Sequence, residues 1–556
     1  MALGILLSST LQILFPFFFQ ALVDKGIILR DIAFINLVLI AWFVIIGSRM
    51  AVDFIRNWIL LHLGTRINIF LISDFLIKLM RLPIKFFDTK LIGDLIQRIY
   101  DHQRIEVFLT GTMLNLFFSL ISIIVLSVVL IIFNPLIFLL FIAGSSLYFL
   151  WVLLFMKKRR TLDNKRFTQL SSNQSNIIQL ITGMQEIKLN NCEKQKRWEW
   201  ESIQAALFRI NIKGLALNQY QQMGALFFNE SKNIIILFVA AHQVMSGNLT
   251  IGAMMAVSFI LGQMNAPIDQ IIQFFHNTQD AKISLERLAE IHSKPDEEPA
   301  EESLITELPE SHSISIENLD FQYEGPNSPF VLKDINLKID QEKVTAIVGT
   351  SGSGKTTLIK LLLGFYEPVK GNVKAGNVNL KNISHRMWRQ KSGVVMQDGF
   401  IFSDTIAKNI AVSDENVNKS KLLQAVKMAN IQQYIESLPL GYNTKIGQEG
   451  VQLSQGQKQR ILIARAIYKQ PEFIFFDEAT NALDANNEKV IMENLNGFFR
   501  GRTVVVVAHR LSTVKNADHI VVLEAGKIEE EGTHEALIAK KGPYYNLVKN
   551  QLELGM

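Results

Sequence analysis

Cysteine is almost missing from this chain. Cys192 is the only one, which excludes an internal disulfide and any zinc cluster built on cysteines. Charge is also scarce: 19% of residues are charged against 49% hydrophobic, a balance that suits a protein lying partly in a membrane better than a wholly soluble one. A net charge of +5 does not by itself point to a nucleic-acid ligand, and no nucleic-acid partner is expected. The opening MALGILLSST has no basic flank and starts inside an apolar run too long for a signal peptide, with no small-residue cleavage site. A truncated chain or a late start is therefore expected, with a segment missing upstream. LSQGQKQR, residues 453–460, holds no acid, histidine or cysteine, so it cannot carry hydrolysis alone. Its Ser, Gly and amides ahead of a basic turn are nonetheless suited to hold an anion.

The apolar content that is present fills residues 1–292, whereas residues 313–556 read as an ordinary α/β domain. Between them, residues 293–312 carry seven acids and three prolines against one Lys, a composition expected of a linker. Six runs approach the length of about 20 apolar residues that a bilayer core requires. They centre on residues 3–23, 32–47, 113–133, 136–156, 223–245 and 249–266. Asn134-Pro135, Ser246-Gly247-Asn248 and the short 24–31 loop should share one side of the membrane. The stretches 48–112 and 157–222 are long and charged, and Lys157-Lys158-Arg159-Arg160 places them in the cytoplasm. Helical apolar spacing at Phe70, Ile72, Phe75, Leu76 and Leu79 predicts that the membrane helices continue outward by about 45 Å.

In the second half, GTSGSGKT fits a phosphate loop: Gly349, Thr350, Ser351, Gly352, Ser353, Gly354, Lys355 and Thr356, followed by Thr357. It follows the strand VTAIV and opens a helix, so successive N–H groups and the helix N-terminus form an anion nest. Lys355 supplies a point charge and Thr356 a hydroxyl for Mg²⁺. EFIFFDEAT ends in Asp477, placed for the Mg²⁺ shell, and Glu478, placed to orient or deprotonate the attacking water. TVVVVAH brings His509 to the same strand-end edge, as a contact for the γ-phosphate.

These motifs resemble the ATP-binding domain of the ATP-binding-cassette transporters, and the six spans with long arms resemble the exporter type. The fold implied is multi-domain: a six-helix all-α transmembrane domain (1–292) with long cytoplasmic helical extensions, a linker, then an α/β P-loop domain (313–556). The resemblance implies further roles. Tyr323 would stack on adenine, and Gln397 would join the catalytic group, linking Mg²⁺ to the helical subdomain. LSQGQ matches the signature loop that binds the γ-phosphate held by a second copy. Ser454, Gln455, Gly456 and Gln457, with Asp484 of NALD, would then be contacts made in trans. A homodimer with twelve spans and two composite ATP sites is implied, with ATP and Mg²⁺ bound and ATP hydrolysed. Two departures stand out: Gln455 where the family usually has Gly, and Asn481 where it usually has Ser.

Residues 86–98 and 193–202 sit where the family places the short coupling helices, with Trp198 and Trp200 as candidate anchors. Polar residues within spans mark a pathway by default, and Glu230 and Asn233 are expected to face a central cavity. QLITGMQEIKLNNCEKQKRWEWE and PFFFQALVDKGI resemble exporters of bacteriocin or double-glycine-leader peptides that lack the N-terminal peptidase domain. A peptide cargo, membrane lipid and a periplasmic adaptor are the partners implied, in the inner membrane. A lipid or multidrug exporter of the same fold is the alternative, and an ATP-gated channel or membrane-anchored regulator a third reading. Peptide export predicts a large hydrophilic cavity, and lipid export an apolar lateral opening.

Overall fold

The computed structural model describes residues 14–299, 304–323, 328–481, 483–508 and 514–554. The chain divides into two units, Met1–Leu82 with Phe86–Asp296, and Pro83–Lys85 with Glu297–Met556. The division falls inside the acidic stretch. Two of its acids are held by hydrogen bonds: Arg389 grips Glu297 through two bonds of 2.6 and 2.7 Å, and Glu298 accepts from the Ser384 hydroxyl at 3.0 Å.

Among the described residues, five helices of the first unit are long and apolar enough to cross a membrane: Ile32–Arg81, Ile92–Phe133, Pro135–Thr182, Glu193–Met245 and Ile251–His292. The 50 residues of Ile32–Arg81 run about 75 Å, where a bilayer core takes about 30 Å. The excess is the predicted extension of about 45 Å. Of the first expected span only the part from residue 14 is described, helical and ending in a π-turn at Leu22–Ile27.

The helix ends follow from local chemistry. Asn134 caps the third long helix, its carboxamide oxygen accepting from the Leu136 and Ile137 N–H groups at 2.9 and 3.2 Å, with Pro135 at the first helical position. Thr250 caps the last one, and its hydroxyl donates to Asp24 at 2.7 Å. The Asp24 carboxylate also accepts from the Gly252 N–H at 3.0 Å, so the loop after the first span is tied to the start of the last helix. Those two loops share a side, as the sequence requires. Leu126, Leu130, Ile137, Ile236, Ile260 and Met264 form the fully buried centre of the bundle. Phe43, Ile40 and Phe238 are exposed, large apolar side chains of the kind a membrane-spanning bundle carries on its outside.

The two short helices between the long ones differ from expectation in one respect. Ile84–Thr89 overlaps the predicted 86–98 region. The second lies at Met184–Leu189, and residues 193–202 instead open the 53-residue helix Glu193–Met245. Gly183 breaks the preceding helix and Asn191, with φ of 50°, breaks the short one. Residues 193–202 are good helix formers with an i,i+4 pair, Arg197–Glu201 at 3.1 Å. Trp200 is an anchor, but within the bundle: its indole N–H donates to Asn173 at 3.0 Å. Trp198 is exposed beneath the Lys194 ammonium.

Among the described residues the second unit holds twelve strands: β1 (Ile314–Phe321), β2 (Leu332–Ile339), β3 (Val344–Val348), β4 (Lys370–Ala375), β5 (Val378–Asn379), β6 (Ser392–Val395), β7 (Asp404–Thr405), β8 (Lys445–Ile446), β9 (Phe473–Asp477), β10 (Thr503–Val507), β11 (His519–Glu524) and β12 (Lys527–Gly532). Six form a sheet of order β12-β11-β3-β10-β9-β6, parallel except at β12. A second sheet, β2-β1-β4-β5, is antiparallel. Every residue of β9 and β10 is buried, as expected of a parallel sheet covered on both faces. Helices Ile406–Ile410, Lys419–Met428 and Gln455–Tyr468 pack together over one face of this core.

Candidate functional site

The sheet register lines up the chemistry. Ile347 of β3 pairs with Val507 of β10, which pairs with Asp477 of β9. The loop after β3 and the acids closing β9 therefore leave the sheet at one edge. Val395 of β6 pairs with Phe476, so Gln397, two residues further on, leaves beside Glu478 and is exposed. β10 ends next to His509, which lies outside the described residues.

Glycine is required in the phosphate loop. Gly349 has φ of 155°, and a Cβ there would stand 2.0 Å from the Leu523 carbonyl oxygen. Gly354 has φ of 105° and opens the helix Lys355–Leu362. Ser353 is 2% exposed, and its hydroxyl has no hydrogen-bond partner among the described residues. A tight glycine cradle, an orphaned hydroxyl and a helix N-terminus fit a bound phosphate. Lys355 is buried and curls over this loop, donating to the Gly349 and Thr350 carbonyls at 3.0 and 2.8 Å. Burial pushes its ammonium below the usual lysine range, against the opposing pull of Glu478 and Asp477. Thr356 is half-buried on the first helical turn, while Ser351 and Gly352 are exposed at the loop tip.

Tyr323 lies against the same helix. Its hydroxyl and that of Thr357 are 2.9 Å apart, and the rings of Phe321 and Tyr366 meet it edge-on at 5.0 and 5.3 Å. This leaves an aromatic face beside the phosphate loop, suited to stack a base.

Asp477 is fully buried at the end of β9. Glu478 follows in the left-handed region, with φ of 53°, an outlier of the kind that gathers at functional sites. Its N–H donates to Val507 O at 3.1 Å, and its carboxylate accepts from the Asn481 amide at 2.6 Å.

Ser454 caps the helix Gln455–Tyr468. Its hydroxyl accepts from the Gln457 N–H at 3.2 Å, and the Gln457 side chain accepts from the Ser454 N–H at 2.8 Å. Gln455 is the first helical residue, exposed and without positive φ, so the glycine usual at that position is not needed for its backbone. Gly456 is half-buried, and no hydrogen bond among the described residues joins 454–457 to the phosphate loop. Asp484 caps Ala485–Phe499, accepting from the Asn487 N–H at 2.9 Å.

The first unit contains a cavity of about 860 Å³ lined by Asn218, Gln219, Gln221, Gln222, Asn229 and Gln273, with Asp269 and Tyr148 joined at 2.7 Å on its wall. Neither Glu230 nor Asn233 lines it: Glu230 is exposed elsewhere, and Asn233 is half-buried. The buried ion of this helix is Lys232, bonded to Asn229 at 2.8 Å and set over the Phe141 ring. Gly144 makes room for it, since a Cβ there would stand 2.6 Å from the lysine stem. Polarity marked this stretch in the sequence, but only packing shows which residue is enclosed.

The model of the ABC transporter family matches residues 332–481, and that of the ABC transporter transmembrane region matches residues 1–268. The chain is 34% identical over 540 residues to the toxin RTX-I translocation ATP-binding protein of Actinobacillus pleuropneumoniae, covering 97% of this chain and 76% of that one. The leukotoxin translocation ATP-binding proteins LktB of Bibersteinia trehalosi and Mannheimia haemolytica match to the same extent. The solved structure of a bacterial Atm1-family ABC exporter with ATP bound superposes with a TM-score of 0.90 at 24% identity, covering 99% of this chain and 97% of that one. The chain thus belongs to the ABC transporter family, as a multi-pass membrane exporter whose cytoplasmic domain binds and hydrolyses ATP.

Proposed function

We propose that the protein exports a polypeptide as a homodimer, each ATP held between the phosphate loop of one copy and the signature loop of the other. The observation that carries the cargo reading is the cavity lining. Six carboxamides face it, with a single carboxylate and no Lys or Arg, beside apolar Val152, Met223, Leu226 and Ile272. A carboxamide both donates and accepts, which matches a peptide backbone, and the apolar residues between suit its side chains. The relatives named as toxin translocators support the same reading.

At each ATP site the residues divide the work. The Gly349–Gly354 loop and Lys355 bind the phosphates, Tyr323 carries the base, Glu478 acts on the attacking water, and His509, by its place in the sequence, would contact the γ-phosphate. Thr356, Gln397 and Asp477 form a hard oxygen donor set that fits Mg²⁺. When bound, Mg²⁺ would neutralise phosphate charge. Ser454, Gln455, Gly456, Gln457 and Asp484 would close the site from the second copy, since they lie at the capped starts of two helices, with Ser454, Gln455 and Asp484 exposed there.

Two measurements test this. Glu478→Gln should cut turnover to a small residual rate while ATP remains bound and the dimer closed; unchanged turnover would remove Glu478 from its role. In proteoliposomes, unstructured peptides should stimulate ATP hydrolysis, and Gln219→Leu with Gln222→Leu should erase that stimulation and spare the basal rate. Stimulation by lipid alone, indifferent to these carboxamides, would favour a lipid exporter.

A further inference from the structure

We propose that Asn481 is a positioning residue for ATP hydrolysis, fixing the carboxylate of Glu478 in its working rotamer. This rests on the reading of Glu478 as the group that acts on the attacking water.

The backbone of Glu478 is over-determined. Its N–H donates to Val507 O at 3.1 Å, and its carbonyl accepts from the Gln459 amide at 3.1 Å and the Asn481 N–H at 3.2 Å. Those three bonds hold a non-glycine residue at φ of 53°, a conformation that persists only where its surroundings enforce it. Gln459 is buried on the signature helix, so one arm of this grip comes from a separate element. With the backbone fixed, the side-chain torsions are what remain to be set. The Asn481 amide sets them, donating to Glu478 Oε2 at 2.6 Å.

Asn481 thus bonds to one residue twice, its own N–H closing the turn on the carbonyl and its side chain holding the carboxylate. A charge-assisted bond of that length is among the stronger polar interactions open to an exposed amide. A general base displaced by even about 1 Å loses much of its rate, because the benefit of orientation is steep. Since Asn481 is exposed, its replacement should leave the fold intact.

Steady-state ATP hydrolysis and equilibrium ATP binding of the full-length protein in nanodiscs test this. Asn481→Leu, similar in size and without a donor, should lower kcat about tenfold while KM and ATP affinity stay within about twofold. Asn481→Ser, which keeps a hydroxyl donor on the same turn, should recover most of the loss. In the Glu478→Gln background, Asn481→Leu should have no further effect on the residual rate. An unchanged kcat in Asn481→Leu, a Ser variant as slow as the Leu variant, or an equal loss in both backgrounds would overturn the proposal. Wild-type turnover by Glu478→Gln alone would overturn the underlying reading of Glu478.

Discussion

Lys355 illustrates how a single residue can be legible in sequence and still be placed by structure. The GTSGSGKT pattern identifies it, but its burial and its bonds to Gly349 O and Thr350 O show that it is part of the loop as well as a charge for the ligand. Lys355→Ala should therefore weaken ATP binding by at least about 100-fold, the scale expected when a buried site is deprived of a charge-assisted hydrogen bond. Retained tight binding, measured with a fluorescent ATP analogue, would defeat the phosphate-loop reading. Gly349 sets a harsher condition. A methyl at this position meets the Leu523 carbonyl at 2.0 Å and requires a φ that L residues rarely adopt, so Gly349→Ala should abolish binding and shift the loop against β11. What the sequence could not reveal at this scale is which side chains touch. Asn481 reads there as a mild departure from Ser; only the folded chain brings its amide onto Glu478.

Among the elements, the cytoplasmic arms depend on a charge network that no motif announces. Asp101 is fully buried and accepts from the Ser284 hydroxyl at 3.1 Å and from Arg287 at 3.4 Å. Arg287 also reaches Asp163 and lies over the Phe167 ring at 3.8 Å, so three long helices meet at one guanidinium. Removing it leaves the buried Asp101 carboxylate with the Ser284 hydroxyl and a longer pair to Arg104 at 3.8 Å. Arg287→Ala should cost about 3 kcal/mol, read as a lower thermal midpoint in detergent. The Arg160–Glu286 pair, at 2.8 Å but about half exposed, serves as the control, because Arg160→Ala should change stability by less than about 1 kcal/mol. Equal effects from the two would deny the buried network its role. Long helices and the α/β order of the ATP-binding half were legible, since each rests on periodicity or on a motif between neighbours in sequence. This network was not, because Asp101 and Arg287 are 186 residues apart. The second short helix was misplaced for a related reason: paired tryptophans suggested a docking loop, whereas Gly183 and Asn191 determine where the chain turns.

For the whole molecule, the exposed signature loop, with no hydrogen bond from 454–457 to its own phosphate loop among the described residues, becomes a question of symmetry. An isologous pair of copies would bury each signature loop against the other copy's nucleotide, giving two equivalent sites. Two defective variants can test that arrangement. Lys355→Ala removes the phosphate-binding charge and leaves the signature loop intact. Ser454→Arg blocks the signature loop and leaves the phosphate loop intact, since Ser454 is exposed and its change costs only a helix cap, about 1 kcal/mol. Either variant alone should be inactive, because every site in its homodimer carries one broken half. When the two are co-expressed, half of the dimers are mixed, and each mixed dimer pairs an intact phosphate loop with an intact signature loop at one of its two sites. ATP hydrolysis should then return to about a quarter of the wild-type rate, a restoration that follows from the two-fold geometry alone. If each chain completed its own site, both variants would stay dead however they were mixed.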